Sequence, residues 1–373
     1  MQDGARADGV DGSERTLSIA VFQGDGIGPE VMAPTLDLIR LAVAAEGCAL
    51  QFADHPAGAA HYAETGESLP RASVEAARAA DAILLSAMGL PSVRYEDGTE
   101  ITPQIQLRFL LDLYAGVRPV FVFPGQPCPL GDRRAGQIDF VLLRESTEGL
   151  FHDYKNGVVT GDESVQESLL ITRKATERLF DFAFALAGQR QAASRGSGRV
   201  MCVDKANVFR AFAFFRKIFH ERAAGHPDIR ADAGYVDATA LWMVQKPWDF
   251  DVLVTENMFG DILSDLGAGL MGGLGFAPSA DIGDDHAVFQ PCHGSAPDIA
   301  GQGIANPAAM ILSGAMMLDW LGRRHSRPGL VSAGERLRLA VGATIGSGEA
   351  RTRDVGGAAT TNEFANAVRG HLV

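Results

Sequence analysis

TENMFGDILSDL, residues 255–266, is the stretch from which the rest of the chain can be read. It begins at the end of the apolar run 252–255, so a strand leads into a helix, and that helix carries Asp261 and Asp265 one turn apart on the same face. No lysine or arginine follows within the helix to neutralise them. Two like charges on one face suit a hard cation such as magnesium or manganese, with substrate oxygens completing its shell. A capping aspartate beside a solvated one is the plainer alternative, and spacing alone does not choose between them.

A similar strand, turn and helix open the chain. Leu17 to Phe22 is apolar, GDGIGPE occupies 24–30, and a periodic apolar segment runs over 31–45, with Pro29 suited to a first helical turn. Glycines there can let amides approach a phosphate, but the spacing is GxGxG. No acidic residue ends a second strand about twenty residues on, so a structural turn stays open beside a dinucleotide loop. Further strands are expected at 82–86, 120–123, 140–143 and 200–203. Runs apolar on both faces, alternating with helical segments, predict an α/β sheet covered by helices. Segments 194–198 and 267–278 read as loops, the second as a crossing between lobes. Phe209, Phe212, Phe215 and Phe219 share one helical face, as core or dimer packing requires.

At 373 residues, 46% hydrophobic and 21% charged, the chain is long enough for two lobes. Its net charge of -13 opposes nucleic acid and anionic membrane surfaces, so an anionic ligand needs a local cluster of positive charge. Cys48, Cys128, Cys202 and Cys292 are scattered, as free thiols in a reducing compartment are. With no signal-peptide pattern and no long apolar run, a cytoplasmic protein is expected, and the polar residues 1–15 read as a flexible tail.

Arg108, Arg118 and Arg144 stand near segment ends and can clamp carboxylates with bidentate guanidinium groups. Ion pairing of Arg108 with Asp112, and of Arg144 with Glu145, is the competing reading. Lys205 can act as a base if its surroundings lower its pKa. HGSAPDIAGQGIANP, residues 293–307, holds almost no large side chain and can lie flat against a ligand. Asp298 there can accept from two ribose hydroxyls and would repel a 2'-phosphate, favouring NAD.

GDGIGPE, the three arginines, DKANV (204–208), GYVDA (234–238), GDILSDL, GGLGFAPSA (272–280), HGSAPDIAGQGIANP and the late DVGG–ATT segment together resemble the isopropylmalate/isocitrate dehydrogenase family of β-decarboxylating dehydrogenases. The resemblance implies a non-Rossmann α/β fold of two domains. A larger, discontinuous NAD-binding domain would comprise 16–113 and 272–373, and a smaller dimerisation and substrate domain 114–271. It also implies a homodimer with shared active sites and a small anionic hydroxy-acid substrate, oxidised with NAD and Mg2+ or Mn2+ and then decarboxylated. Arg108, Arg118 and Arg144 match the substrate arginines. Asp237, Asp261 and Asp265 match the metal aspartates, and Lys205 and Asp237 match the catalytic pair, expected to reach the partner's site. Asn207, His293, Gly294, Ser295, Ala296, Asp298, Ile299 and Asn306 match cofactor-binding positions.

Two positions depart from the family pattern. Phe151, in RESTEGLF, stands where the family places a proton-donating tyrosine, which leaves water or Tyr154 to protonate the product enolate. In ITPQIQLR before Arg108, Thr102 and Gln104 suggest a polar group on the substrate's third carbon rather than an isopropyl group. A D-malate or tartrate dehydrogenase and a non-catalytic regulatory subunit are the alternatives.

Overall fold

The computed structural model describes residues 15–154 and 156–372. Of the expected tail, residues 1–14 lie outside the described residues, and Arg15 is anchored by Asp81 through two guanidinium hydrogen bonds. Among the described residues the strands are β1 (Leu17–Phe22), β2 (Leu50–Asp54), β3 (Ala82–Leu85), β4 (Ala115–Phe121), β5 (Asp139–Glu145) and β6 (Val158–Thr160), then β7 (Ser164–Gln166), β8 (Arg199–Asp204), β9 (Arg230–Tyr235), β10 (Val252–Thr255), β11 (Pro278–Ile282) and β12 (Ala287–Pro291). Ten form one sheet in the order β2-β1-β3-β12-β11-β4-β5-β10-β8-β9, and β6 and β7 form a separate hairpin.

Parallel pairing holds within β2-β1-β3-β12 and within β5-β10-β8-β9, and the two blocks are joined through antiparallel neighbours by β11 and β4. Side chains alternate across a strand, and the apolar runs use both faces. In β1, Leu17, Ile19 and Val21 enter the main core while Ala20 and Phe22 enter a second, smaller one. In β3, Ala82 and Leu84 face the first core, and Ile83 and Leu85 the second. No helix among the described residues is long and apolar enough to cross a membrane.

Several boundaries differ from the sequence reading. The strand expected at 120–123 begins at Ala115 and includes Arg118 and Pro119, because pairing with β5 and β11 outweighs local polarity. Of the four phenylalanines, Phe212, Phe215 and Phe219 are buried, whereas Phe209 precedes the helix Arg210–Ala223 in extended conformation and is exposed. The glycine-rich segment 267–278 does not start as a loop, since the helix Asn257–Leu270 runs through Gly267 and Gly269. A Cβ at Gly267 would come within 2.6 Å of Val120 Cγ2, so that glycine serves close helix–sheet contact.

Gly260 makes an equally close approach beside Arg144. A Cβ there would lie 2.6 Å from Arg144 Cβ and 2.7 Å from its Cγ. In an open helix Gly→Ala would gain stability, but here the clash opposes it. Gly260→Ala is expected to cost about 1–3 kcal/mol, as overpacking does, and to raise KM for any anionic substrate. Thermal melts and steady-state kinetics check both.

Candidate active site

Over the middle of the sheet, where β12, β11, β4 and β5 run antiparallel, lies a cavity of about 180 Å³. That is room for roughly six waters at liquid density, or for one small acid. Arg108, Arg118, Arg144, Asp261, Asp265 and Gln104 all line it. The helix Pro103–Leu110 delivers Gln104 and Arg108 from one face, four residues apart. β4 and β5 deliver Arg118 and Arg144, and the helix after β10 delivers both aspartates.

Neither competing arginine pairing forms. Asp112 bonds Arg178 at 2.8 Å. Glu145 accepts from the Thr147 amide and hydroxyl and from the Glu148 amide. The partner of Arg108 and Arg118 is Asp281, a fully buried carboxylate on β11. Arg108 Nε donates to its Oδ2 at 3.1 Å, and Arg118 Nη2 to its Oδ1 at 3.2 Å. Against the cost of burial, Arg108 and Arg118 hold Asp281 below the usual carboxylate range. Arg144 donates from Nε to Asn257 Oδ1 at 2.8 Å and from Nη1 to Asp261. Burial, then the neighbouring Arg108, pull its pKa down to about 10, so it stays charged at neutral pH.

The sequence reading overlooked Asp281. A lone carboxylate in an otherwise apolar strand must be paired, and that was the available signal. Thr102 is corrected: it precedes the helix as its N-cap and does not line the cavity. Gln104 does line it, with a buried Oε1 that has no hydrogen-bond partner.

Asp265 and Asp261 both line the cavity, Asp261 bonded to Arg144. Partial desolvation, then repulsion by Asp261, raise the Asp265 pKa. Two hard oxygen donors in that state fit part of a divalent-cation shell. Asp237 does not join them within one chain, since its carboxylate is exposed and paired with Lys205 Nζ. No three His, Cys, Asp or Glu side chains among the described residues come together as a complete cage. One chain therefore offers two carboxylates.

The small-residue loop 293–307 borders a second cleft of about 510 Å³, lined by His293, Ile299 and Asn306 together with Ile27, Ile304 and Arg353. His293 lines both cavities, so the two adjoin at this residue. Its Nε2 is buried without a hydrogen-bond partner, and burial lowers its pKa. Gly294 lines the first cavity. Ser295 is structural, its hydroxyl donating to Gly89 O and its carbonyl accepting from the Ile27 amide. Ala296 adopts a positive φ of 38°. Two expected cofactor residues stand apart from both cavities in the single chain. The exposed side chain of Asp298 is not part of the cleft wall, and Asn207 sits on an exposed turn after β8, outside both cavities.

GDGIGPE is a tight turn whose Ile27 lines the second cleft, and, against the sequence expectation, β2 does end on an acidic residue, Asp54, which accepts from Gln23 Nε2. Three of the turn's amides are already engaged: Asp25 N donates to Ala87 O, Ile27 N to Ser295 O and Gly28 N to Asp25 O. The Asp25 carboxylate accepts from the amides of Ala59, Ala60 and Gly89. Glu30 reaches across to the amides of Gly303 and Ala305 and the hydroxyl of Thr361, fixing the loop that walls the second cleft.

Phe151 lies against the site without lining it, its ring centroid 4.9 Å from Arg144 Cζ. Tyr154 stacks on Phe109 at 5.5 Å and is not a cavity residue. Next to Arg144, burial pushes the Glu145 pKa up to about 7 from 4.5. The folded state therefore binds more protons than the unfolded chain between those values. Stability contributed by neutral Glu145 is complete below about 4.5 and lost as pH rises through 7. The stability of the wild type relative to Glu145→Gln should fall across that window, which melts at several pH values would read.

An α/β fold thus places a cavity lined by three arginines and two aspartates beside a cleft walled by small and branched apolar residues. The profile for isocitrate/isopropylmalate dehydrogenase matches residues 18–368, and the chain belongs to that family. It is 43% identical over 352 residues to the 3-isopropylmalate/3-methylmalate dehydrogenase of Methanocaldococcus jannaschii, covering 94% of this chain and 97% of that one. To the 3-isopropylmalate dehydrogenase of Archaeoglobus fulgidus it is 40% identical, over 94% and 98%. Among solved structures, isocitrate dehydrogenase from Methylococcus capsulatus superposes with a TM-score of 0.81 at 36% identity, covering 96% of this chain and 99% of that one.

Proposed function

We propose that this protein catalyses the NAD-dependent, divalent-metal-assisted oxidative decarboxylation of a 3-substituted malate-type 2-hydroxy acid. The observation that carries this reading is the junction at His293, where a cavity of arginines and aspartates meets a cleft walled by small and branched apolar residues. An anionic substrate and the nicotinamide end of a dinucleotide would abut there, as hydride transfer requires.

Arg108, Arg118 and Arg144 would hold the carboxylates of the malate core. Asp261 and Asp265 would hold the cation, which supplies Lewis acidity toward the 2-hydroxyl and the carbonyl formed from it. The hydroxyl proton would leave to Lys205 Nζ as Lys205 passes its own proton to the Asp237 carboxylate hydrogen-bonded to it, and hydride would pass to the nicotinamide. Loss of carbon dioxide leaves an enolate that takes one proton. Tyr154, held on Phe109, is not at the cavity, so water is the donor this reading favours.

Lys205 and Asp237 stand outside their own chain's cavity, which supports service in a partner's site. Exposed apolar residues support a homodimer: Val158, Val159 and Val165 on the hairpin, and Leu241, Val244 and Ile262 on two helices packed side by side. The cavity also draws on both proposed domains. Arg108 and His293 come from 16–113 and 272–373, whereas Arg118, Arg144 and the aspartates come from 114–271. Free cysteines accord with a cytoplasmic location.

The test is NADH formation with magnesium or manganese across 3-alkylmalates, isocitrate, homoisocitrate, D-malate and tartrate. Turnover that stops on chelation is expected. Phe151 favours a second reading, a ligand-binding subunit without turnover, and NAD binding with no reaction on any acid would select it. Phe151→Tyr places a hydroxyl beside Arg144 and should change carbon dioxide release more than hydride transfer, by up to about 10²-fold for a general acid. Equal changes in both steps would remove the protonation role.

A further inference from the structure

Five charged side chains line the substrate cavity, and a sixth, Asp281, is bonded behind it. The Cys292 thiol and the His293 imidazole also line it. Burial raises the pKa of the first and lowers that of the second, so both are uncharged at neutral pH. Asp261 and Asp265 together match the two charges of a divalent cation. Lys205 and Asp237, if a partner supplies them, arrive as an ion pair and add none. What remains for substrate carboxylates is three guanidiniums, less the one neutralised by Asp281.

Asp281 is built to keep that charge. Each of its oxygens takes one arginine, Gln290 Nε2 donates to Oδ2 at 2.7 Å, and Ser146 Oγ donates to Oδ1 at 3.4 Å. It is fully buried, so no solvent screens it from the cavity. Two net positive charges match two carboxylates. A third carboxylate would enter with no counter-charge from the protein, and the remaining polar lining near the helix Pro103–Leu110 is the neutral amide of Gln104.

We propose that Asp281 is a specificity-determining residue, setting the cavity for a 2-hydroxy dicarboxylate with an uncharged 3-substituent and against a tricarboxylate. This rests on reading the cavity as the substrate site. It narrows the substituent expected from Thr102 and Gln104: neutral, and polar only so far as a single amide requires.

The experiment compares kcat/KM for 3-methylmalate, 3-isopropylmalate and isocitrate in the wild type and in Asp281→Asn. Alongside it, equilibrium binding of methylsuccinate and tricarballylate, which cannot be oxidised, is measured with magnesium and without NAD. The wild type should prefer the dicarboxylates in both assays, and Asp281→Asn should move both ratios toward the tricarboxylate by about tenfold or more, as removal of one unscreened charge implies. A purely structural role would lower all constants together and leave the ratios unmoved, which overturns the proposal. If Asp281→Asn does not fold, the wild-type ratios decide, and preference for isocitrate and tricarballylate overturns it. Failure to turn over any hydroxy acid or to bind either probe would instead sink the functional reading beneath it.

Discussion

Asp265→Asn is expected to leave a folded protein whose turnover falls about 10³-fold, the equivalent of several kcal/mol of lost Lewis-acid stabilisation. Among the described residues the Asp265 side chain has no hydrogen-bond partner, and its carboxylate is disfavoured by partial desolvation and by Asp261 one turn away. Removing its charge relieves that repulsion, so the thermal midpoint should hold or rise. The loss falls on the cation instead, because Asp261 is already bonded to Arg144 and cannot complete a shell alone. Metal titrated against the apo-protein should bind the variant much more weakly. Because the wild-type carboxyl has a raised pKa, metal affinity should also weaken with falling pH earlier than for an ordinary aspartate. A fall in turnover of less than tenfold at saturating metal would show that Asp265 is not a ligand.

Arg118→Ala should damage both stability and function, and the two losses are separable. The guanidinium is buried, and Asp281 behind it is more so. Although burial opposes it, Asp281 raises the Arg118 pKa, so the pair is charged. Breaking one arm of a buried pair typically costs about 3–5 kcal/mol through the charge left behind. Removing Asp281 as well should recover much of the stability without recovering catalysis, because the carboxylate-binding fork is still missing. Arg118→Lys keeps the charge but not the fork, and should remain impaired. Melts and kcat/KM on the single and double variants read both effects. A double variant as unstable as Arg118→Ala would mean that the cost lies in packing rather than in Asp281.

The parts of this account legible in the sequence are those carried by local order. The strand entering TENMFGDILSDL, the helix opening at Pro29 and the facing pair Asp261 and Asp265 follow from periodicity and spacing, and the structure has them. What local order could not supply is long-range pairing. Arg108 and Arg118 meet Asp281 across 173 and 163 residues, and no window of sequence links them. The apolar run 120–123 leaves Arg118 outside the expected strand, whereas pairing with two neighbouring strands holds it inside the sheet.

Thr102 and Gln104 show the same limit at short range. They lie two residues apart, but the helix begins between them at Pro103, so only Gln104 shares the face of Arg108. The glycine turn was ambiguous for a different reason. Its amides look available to a phosphate until Ala87 and Ser295 are seen to occupy them. Asn207, Lys205 and Asp237 carry motif-like strings, but one chain leaves all three outside the cavity that the other site residues form.

The central claim is that oxidation and decarboxylation are coupled on one substrate in this cavity. The most direct measurement follows NADH and carbon dioxide together, using purified protein, magnesium or manganese, and 3-methylmalate or 3-isopropylmalate. The account predicts equal amounts of the two products, formed at the same rate and abolished together by chelation. NADH accumulating without carbon dioxide would contradict it.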